Sequence, residues 1–595
     1  MTKLSIQIRC LLVAIAVSVL ATVARGDVTP FSGAEVANNI AVFRIEDEGI
    51  RLELEIFPRD LPVFERLFPS EPISDLQSVQ AAFGQAPGRN AKGLMIKRAD
   101  GRPLPFQLLH AERRQRTDRA SPLAGMPDPI TGGRIPAPPE DPDVIYINAF
   151  YSFEGARPER LIFHPPQDED GLPAVSIGFM VIDRSVPVTR FSFLKTDTRL
   201  AINWTDPWFT AFSNPNLNRS ARSGTTSFLY VEPRELRHEV LIRVRELAPW
   251  IGQNLTTGAR LEPAHQSQIL TAALENFAHR NPVSIAGMPS KPALVRGSFL
   301  TLGERGFEIV EDAPMLIADT TFVGVILTYP ISELPVSASI TWDMFDDTIQ
   351  EVPVTLTDIA GPFLDWGSSE DPKITWTNHL KQYVDPKVTP VEASGIVFVP
   401  LLALLAFVLS ITAGFVAFRV SEKPLSLVFV VLSTGFLITG LSYSGEKTVP
   451  FLSPVSDISK TQIATDAFTR LLANTYVAAL EVFPEERKEA LEPIVFDAAK
   501  ADITAELETS LTIQVPGGGR AQIVEITDVV IVQGEMDRRG EFEGVAQWRV
   551  EARAGHWGHD HRRRVDYRAR VAFRPDKGNW ALSAITVLEA RSPDV

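Results

Sequence analysis

Two uncharged apolar runs, residues 395–418 (GIVFVPLLALLAFVLSITAGFVAF) and 425–443 (LSLVFVVLSTGFLITGLSY), lie six residues apart. Each is long enough to cross a bilayer as a helix. The pair predicts a chain that crosses, turns and crosses back, so the parts before and after it share one compartment. The turn, residues 419–424, carries Arg419 and Lys423, and positive charge in a short loop assigns it to the cytoplasmic side. Neither run contains Asp, Glu, Lys, Arg or His, which argues against an ion or proton path through these helices. Ala406, Ser410 and Gly414 recur every four residues on the first run, and Gly435 and Thr439 on the second. Such small residues let helices pack closely, either with each other or with another membrane protein.

The amino terminus agrees with export. Lys3 and Arg9 precede an apolar stretch, Cys10 to Ala24, followed by small residues that suit cleavage after Ala24 or Gly26; this is the form of a secretory signal. Cys10 is the only cysteine, so the cleaved protein would have no disulfide, thiolate ligand or cysteine nucleophile. The expected location is the bacterial inner membrane, with both large domains periplasmic. A formal net charge of −15 excludes general nucleic-acid binding, which needs a basic footprint.

The length implies several domains. Alternating apolar and polar residues around Glu48-Gly49 and around Asp100-Gly101 predict hairpins within 40–56 and 92–109,. A proline-rich passage, 122–142, reads as a linker or long loop and places a module boundary near residue 140,. Short strand-like runs follow at 144–153, 160–163, 174–182 and 188–193. Two amphipathic stretches, 233–250 and 264–279, read as helices before strands resume at 293–302, 321–329 and 337–342. Beyond the membrane, helices are expected over 461–480 and 485–511, bent near Pro493, and then four antiparallel strands over 521–533, 543–557, 560–574 and 580–589. The expected fold is thus mainly β at the N-terminal end, as sandwich-like modules with a helical insert, then a two-helix transmembrane hairpin, then an α+β roll of cystatin-like or NTF2-like topology. The segments are 1–26 signal, 27–140 β-rich module, 141–393 sandwich-like module, 394–418 and 425–443 helices around the 419–424 turn, and 446–595 the terminal domain.

No nucleophile elbow, dinucleotide fingerprint or phosphate loop occurs,. Acidic clusters at 167–171 and 343–351 do not match the calcium-loop spacing,. Tryptophans close to aspartates (Trp204 and Trp208 with Asp206, Trp342 with Asp343, Trp366 with Asp365) suit either a ring-stacking cleft or ordinary core positions.

The most unusual run is Ala554 to Arg564, AGHWGHDHRRR, which holds three of the nine histidines. A two-residue turn at Gly558-His559 would pair His556 with His561, Ala552 with Val565, Val550 with Tyr567 and Trp548 with Ala569. Apolar residues then share one face and arginines mostly the other. In that register His556, His559 and His561, with Asp560, are candidate ligands for zinc, copper or nickel. The adjacent arginines oppose a cation, and Arg562, Arg564, Arg568 and Arg570 suit carboxylates, phosphates or an acidic partner instead. A hydrogen-bonded structural hairpin tip is the third reading.

Trp548 to Arg553, the GHWGHDHRR run, Tyr567 and Gly578-Asn579-Trp580 together resemble a C-terminal module of uncharacterised bacterial exported envelope proteins, over roughly the last 50 residues. The N-terminal hairpin and the LIFHPP segment, residues 161–166, resemble the exported domains of HupE/UreJ-type membrane proteins. That second resemblance implies a link to nickel handling, although the multi-helix membrane domain of that family is missing here. The expected function is a non-enzymatic, membrane-anchored accessory protein that binds other envelope or inner-membrane proteins. Metal handling at the histidine tip is the alternative.

Overall fold

The computed structural model describes residues 32–67, 93–120, 124–127, 133–219, 223–303, 306–310, 313–393, 396–419, 423–442, 448–452, 457–513 and 522–592. The expected signal segment and Cys10 lie outside them. The N-terminal region is mostly β, built as two successive pairs of sheets.

In the first pair, the strands Phe106–Gln115, Asp143–Ser152, Gly49–Ile56, Asn39–Ile45 and Ile177–Asp183 run side by side. The hairpin around Glu48-Gly49 is present, Ile45 pairing with Ile50. A second sheet, Ala211–Phe212, Thr198–Ala201, Arg160–His164 and Met95–Arg98, closes over it. Phe43, Leu52, Phe163, Phe179 and Leu200 fill the space between. The turn at Asp100-Gly101 forms, but its flanking strands part: Met95–Arg98 joins one sheet and Phe106–Gln115 the other. The expected boundary near residue 140 is also displaced. Asp143–Ser152 sits between Gly49–Ile56 and Phe106–Gln115, and this core runs on to Leu217. The proline-rich passage is therefore a long connection within one module.

The next module is centred on a seven-stranded sheet in the order Gly306–Val310, Leu294–Gly303, Thr321–Pro330, Glu235–Arg243, Thr225–Glu232, Glu351–Asp358 and Gly361–Ser368. Its inner face packs against a four-stranded sheet and the helix Pro263–Phe277, through Leu229, Val240, Ile269, Phe277, Val325 and Trp342. That helix matches the amphipathic pattern over 264–279. The pattern over 233–250 does not hold: Glu235–Arg243 is a strand, and only Val244–Leu247 is α-helical. Every residue of this strand is buried, because the sheet is covered on both faces. Leu236, Val240, Val244 and Leu247 also recur at helical spacing, and His238 and Leu241 interrupt the period-two alternation that would have marked the strand,.

The two apolar helices, Leu401–Arg419 and Lys423–Ser442, are long and apolar enough to cross a membrane. The first starts later than its apolar run: Ile396–Pro400 is a strand, paired with Thr448–Leu452 beyond the second helix. The helices pack on each other through Ala406, Ser410, Ala413 and Ala417. Ser410 Oγ donates to Ser433 O at 2.7 Å and Ser433 Oγ to Ser410 O at 2.8 Å. The Gly435 position has nothing within 4 Å, so the second small-residue row faces outward.

The C-terminal part is a β-sheet half-barrel of Gln522–Met536, Phe542–His556, His559–Asp576 and Asn579–Arg591, extended by Val391–Glu392 from before the helices. Register shifts interrupt three points between the first two strands and two between the last two; such bulges bend a sheet. The helix Asp457–Ala478 lies in its concave side, where Phe468, Leu471 and Leu472 meet Trp548, Phe573 and Trp580. The second helical stretch breaks into Pro484–Ala490 and Lys500–Glu506, with Leu507–Leu511 continuing as a π turn.

Candidate functional site

The outer face of the seven-stranded sheet positions the site. Phe228 and Tyr230, Leu241, Leu300, Phe322 and Ile326 alternate with core residues on four neighbouring strands and form an apolar floor. Arg237 and Glu239 share that face, since they alternate with His238 and Val240,. The C-terminal hairpin ends on this floor. Trp557 at its tip is 2% exposed and belongs to the same apolar cluster.

The tip has a register different from the expected one. His556 pairs with His559, so the turn is Trp557-Gly558. Val550 meets Val565, Trp548 meets Tyr567 and Ala554 meets His561. The difference shifts each partner by two positions, which keeps every side chain on its face and explains why face segregation alone left the turn open. Both turn residues have positive φ, 45° at Trp557 and 81° at Gly558, the type I′ pattern that matches strand twist. A left-handed backbone is rare for a bulky residue and costs of order 1–3 kcal/mol unless its surroundings impose it. Here they do. The Trp557 amide donates to Glu239 Oε2 at 2.6 Å, and the Gly558 amide to Tyr230 Oη at 2.9 Å. Arg237 Nη2 donates to Gly555 O at 2.8 Å. A side chain at Gly324 would meet the Trp557 ring at 2.5 Å, and one at Gly558 would meet Phe228 at 2.7 Å. Two glycines therefore make room for the contact.

Charge is concentrated around Arg237, which is fully buried. Its guanidinium lies 3.1 Å from Glu232, 3.5 Å from Glu235 and 3.6 Å from Glu239, with Tyr230 beneath it at 4.9 Å. Burial pushes the Glu239 carboxyl up to about 7 against the pull of Arg237 and the Trp557 amide. Glu232 is raised by burial in the same way, with Arg237 again opposing. Burial works against the Arg237 charge too, but the surrounding carboxylates outweigh it and keep the guanidinium protonated. On the inner face, His238 sits 3.0 Å from Ser227 Oγ, and burial lowers it to about 3. It is a neutral core histidine.

A second junction holds the first module to the same sheet. Trp208 and Val186 join the apolar floor, and Asp206 accepts two 3.0 Å hydrogen bonds from Arg243. Burial acts to raise the Asp206 carboxyl, and Arg243 overcomes it to hold the group low. Of the tryptophans close to aspartates, Trp208 and Trp342 are buried core residues and Trp366 is exposed.

Of the expected metal ligands, only His556 has a described side chain. His556 is 3% exposed, edge-on to Trp557 at 4.8 Å, and pairs with His559 rather than His561. The side chains of His559, Asp560, His561 and Arg562 lie outside the described residues. Among the described residues no group of three or more His, Cys, Asp or Glu could hold a metal ion. The arginine face carries mixed charge: Arg564 stands opposite Glu551, Arg568 opposite Glu589 and Arg570 opposite Thr586. Arg549 bonds to both Asp566 and Asp528.

Sequence reasoning missed the receiving side of this contact: Tyr230, Arg237, Glu239 and Gly324. One signal was present, since Arg237, Glu239, Leu241 and Arg243 alternate with Leu236, His238, Val240 and Ile242. Nothing in the sequence linked that strand to a hairpin more than 300 residues away. No protein-family model matches the chain, and no curated protein does either.

Proposed function

We propose that this chain is a membrane-anchored accessory protein that holds protein partners beside the bacterial inner membrane, with its two large parts on the periplasmic side. The observation that carries the reading is the Trp557 contact, which joins the parts before and after the membrane hairpin into one body. Two helices with apolar, outward-facing surfaces supply the anchor, and the strand pair Ile396–Pro400 with Thr448–Leu452 ties their outer ends together. A cystatin-like or NTF2-like roll is the topology proposed for the terminal domain, from helices followed by a curled antiparallel sheet. The reading is of binding rather than catalysis, since the buried ionisable cluster around Arg237 is occupied by the chain's own hairpin.

Mild solubilisation after cross-linking in native membranes tests it. A stoichiometric protein partner is expected. Recovery of this chain alone at every cross-linker length overturns the reading, as does a reporter at residue 595 that faces the cytosol.

A further inference from the structure

The outer face of the seven-stranded sheet extends beyond the part that Trp557 covers. Phe228 lies under Gly558; Thr355 is its register partner on the next strand, and Leu364 is the partner of Thr355 on the edge strand Gly361–Ser368. Along this row the surface passes from buried to open. Leu364 is 81% exposed, Trp366 62% and Phe363 51%, with Ile359 at the turn before them also exposed. Leu364 and Trp366 share the face of the covered floor, and Phe363 points to the other side of the strand,.

We propose that this projecting strand, centred on Leu364 and Trp366, is a docking surface for a protein partner whose apolar centre is rimmed by lysine or arginine. A large aromatic residue amid apolar neighbours, with polar residues around it, is the composition of an interface centre. The surroundings are acidic: Glu351, Asp358, Asp365, Glu370 and Asp371 lie within this hairpin and its flanks, against Lys373 alone. Like charge disfavours a second copy of the chain and an anionic lipid surface, and suits a basic rim. The edge is poorly suited to strand addition. Pro362 has no amide hydrogen, and the Trp366 amide is already taken by Asp365 Oδ1 at 2.9 Å,. Recognition therefore runs through side chains. This inference rests on the reading of the chain as a binder of proteins, and narrows where it binds and to what.

The test places p-benzoylphenylalanine at position 364 of the full chain in native membranes and irradiates it. A discrete protein adduct is expected. Its yield should fall about fivefold or more with Trp366→Ser, and similarly with Asp365→Lys combined with Glu370→Lys or with raised salt, and its cross-linked peptide should be flanked by Lys or Arg. Protease resistance of the membrane-bound chain checks that the variants fold; the charge variant decides if the tryptophan variant does not. No adduct, a lipid adduct, an adduct of twice the chain's mass, or a protein adduct indifferent to charge reversal overturns the proposal. Amine cross-linking of the native chain in the same membranes separates the two readings: a partner captured there but absent at position 364 sinks the docking surface and leaves the accessory role standing.

Discussion

The Trp557 amide donates a 2.6 Å hydrogen bond to Glu239 Oε2, joining residues 318 positions apart on opposite sides of the apolar helical hairpin in sequence. The indole beside it is nearly inaccessible to water. This one contact combines apolar burial, a short hydrogen bond to a buried carboxyl group and an enforced left-handed backbone.

Trp557→Ala should release the hairpin tip. Removing a buried tryptophan costs about 3–5 kcal/mol, less the relief of backbone strain at φ 45°. Hydrogen exchange on the purified full chain checks it: protection of the Gly558 amide, which donates to Tyr230, should be lost while that of Trp548 in the half-barrel persists.

Gly324→Ala should act on the same contact, since its Cβ would lie 2.5 Å from the indole. Alone it should destabilise docking by about 1–3 kcal/mol. On a Trp557→Ala background most of that cost should vanish, leaving the approach to Leu300 at 2.7 Å. A double-mutant cycle from denaturation curves measures the coupling; strict additivity would contradict the geometry.

Stability should depend on pH in opposite directions on the two faces of the central sheet. Glu239 is raised from 4.5 to about 7 in the folded state, so its contribution is fully present below about 4.5 and is lost as pH rises towards 7. His238 is lowered from 6.5 to about 3, so its contribution is present above 6.5 and is lost as pH falls towards 3. Glu239→Gln should flatten the loss on the alkaline side and leave the acid side unchanged. Thermal unfolding between pH 4 and 8 reads both limbs.

Asp206→Ala should loosen the first module from the central sheet. It leaves Arg243, 1% exposed, without its bidentate partner, and breaking a buried pair costs about 3–5 kcal/mol. Glu246, 3.3 Å from Arg243, should retain part of the interaction. New proteolytic cleavage between 213 and 225 is the expected signature.

Within the apolar helix pair, Gly440→Leu should separate the two helices, because its Cβ would sit 3.1 Å from Ala403 O. Gly435→Leu, with open space around it, should not. Disulfide trapping between cysteines introduced on the facing sides of the two helices distinguishes them.

The apolar runs, the strands of the half-barrel and the helix Pro263–Phe277 were legible because each carries its own signal: uninterrupted hydrophobicity, period-two alternation, or a helical stripe. The face of every residue in the C-terminal hairpin was legible for the same reason. Its turn was not, because a shift of two partners preserves all faces. Type I′ geometry at Trp557-Gly558 became favourable only once Glu239, Tyr230 and Phe228 held it in place. Glu235–Arg243 was not read as a strand because Leu236, Val240, Val244 and Leu247 recur at helical spacing while His238 and Leu241 interrupt the alternation,, and its charged face is covered by residues from elsewhere in the chain. Sequence alone thus determined which segments are apolar, which residues of the C-terminal hairpin share a face and that two helices can span a membrane, since these follow from local spacing. Only the tertiary structure decided that the tip tryptophan is a joint and its histidine a buried neighbour, because the groups that make it so arrive from more than 300 residues away.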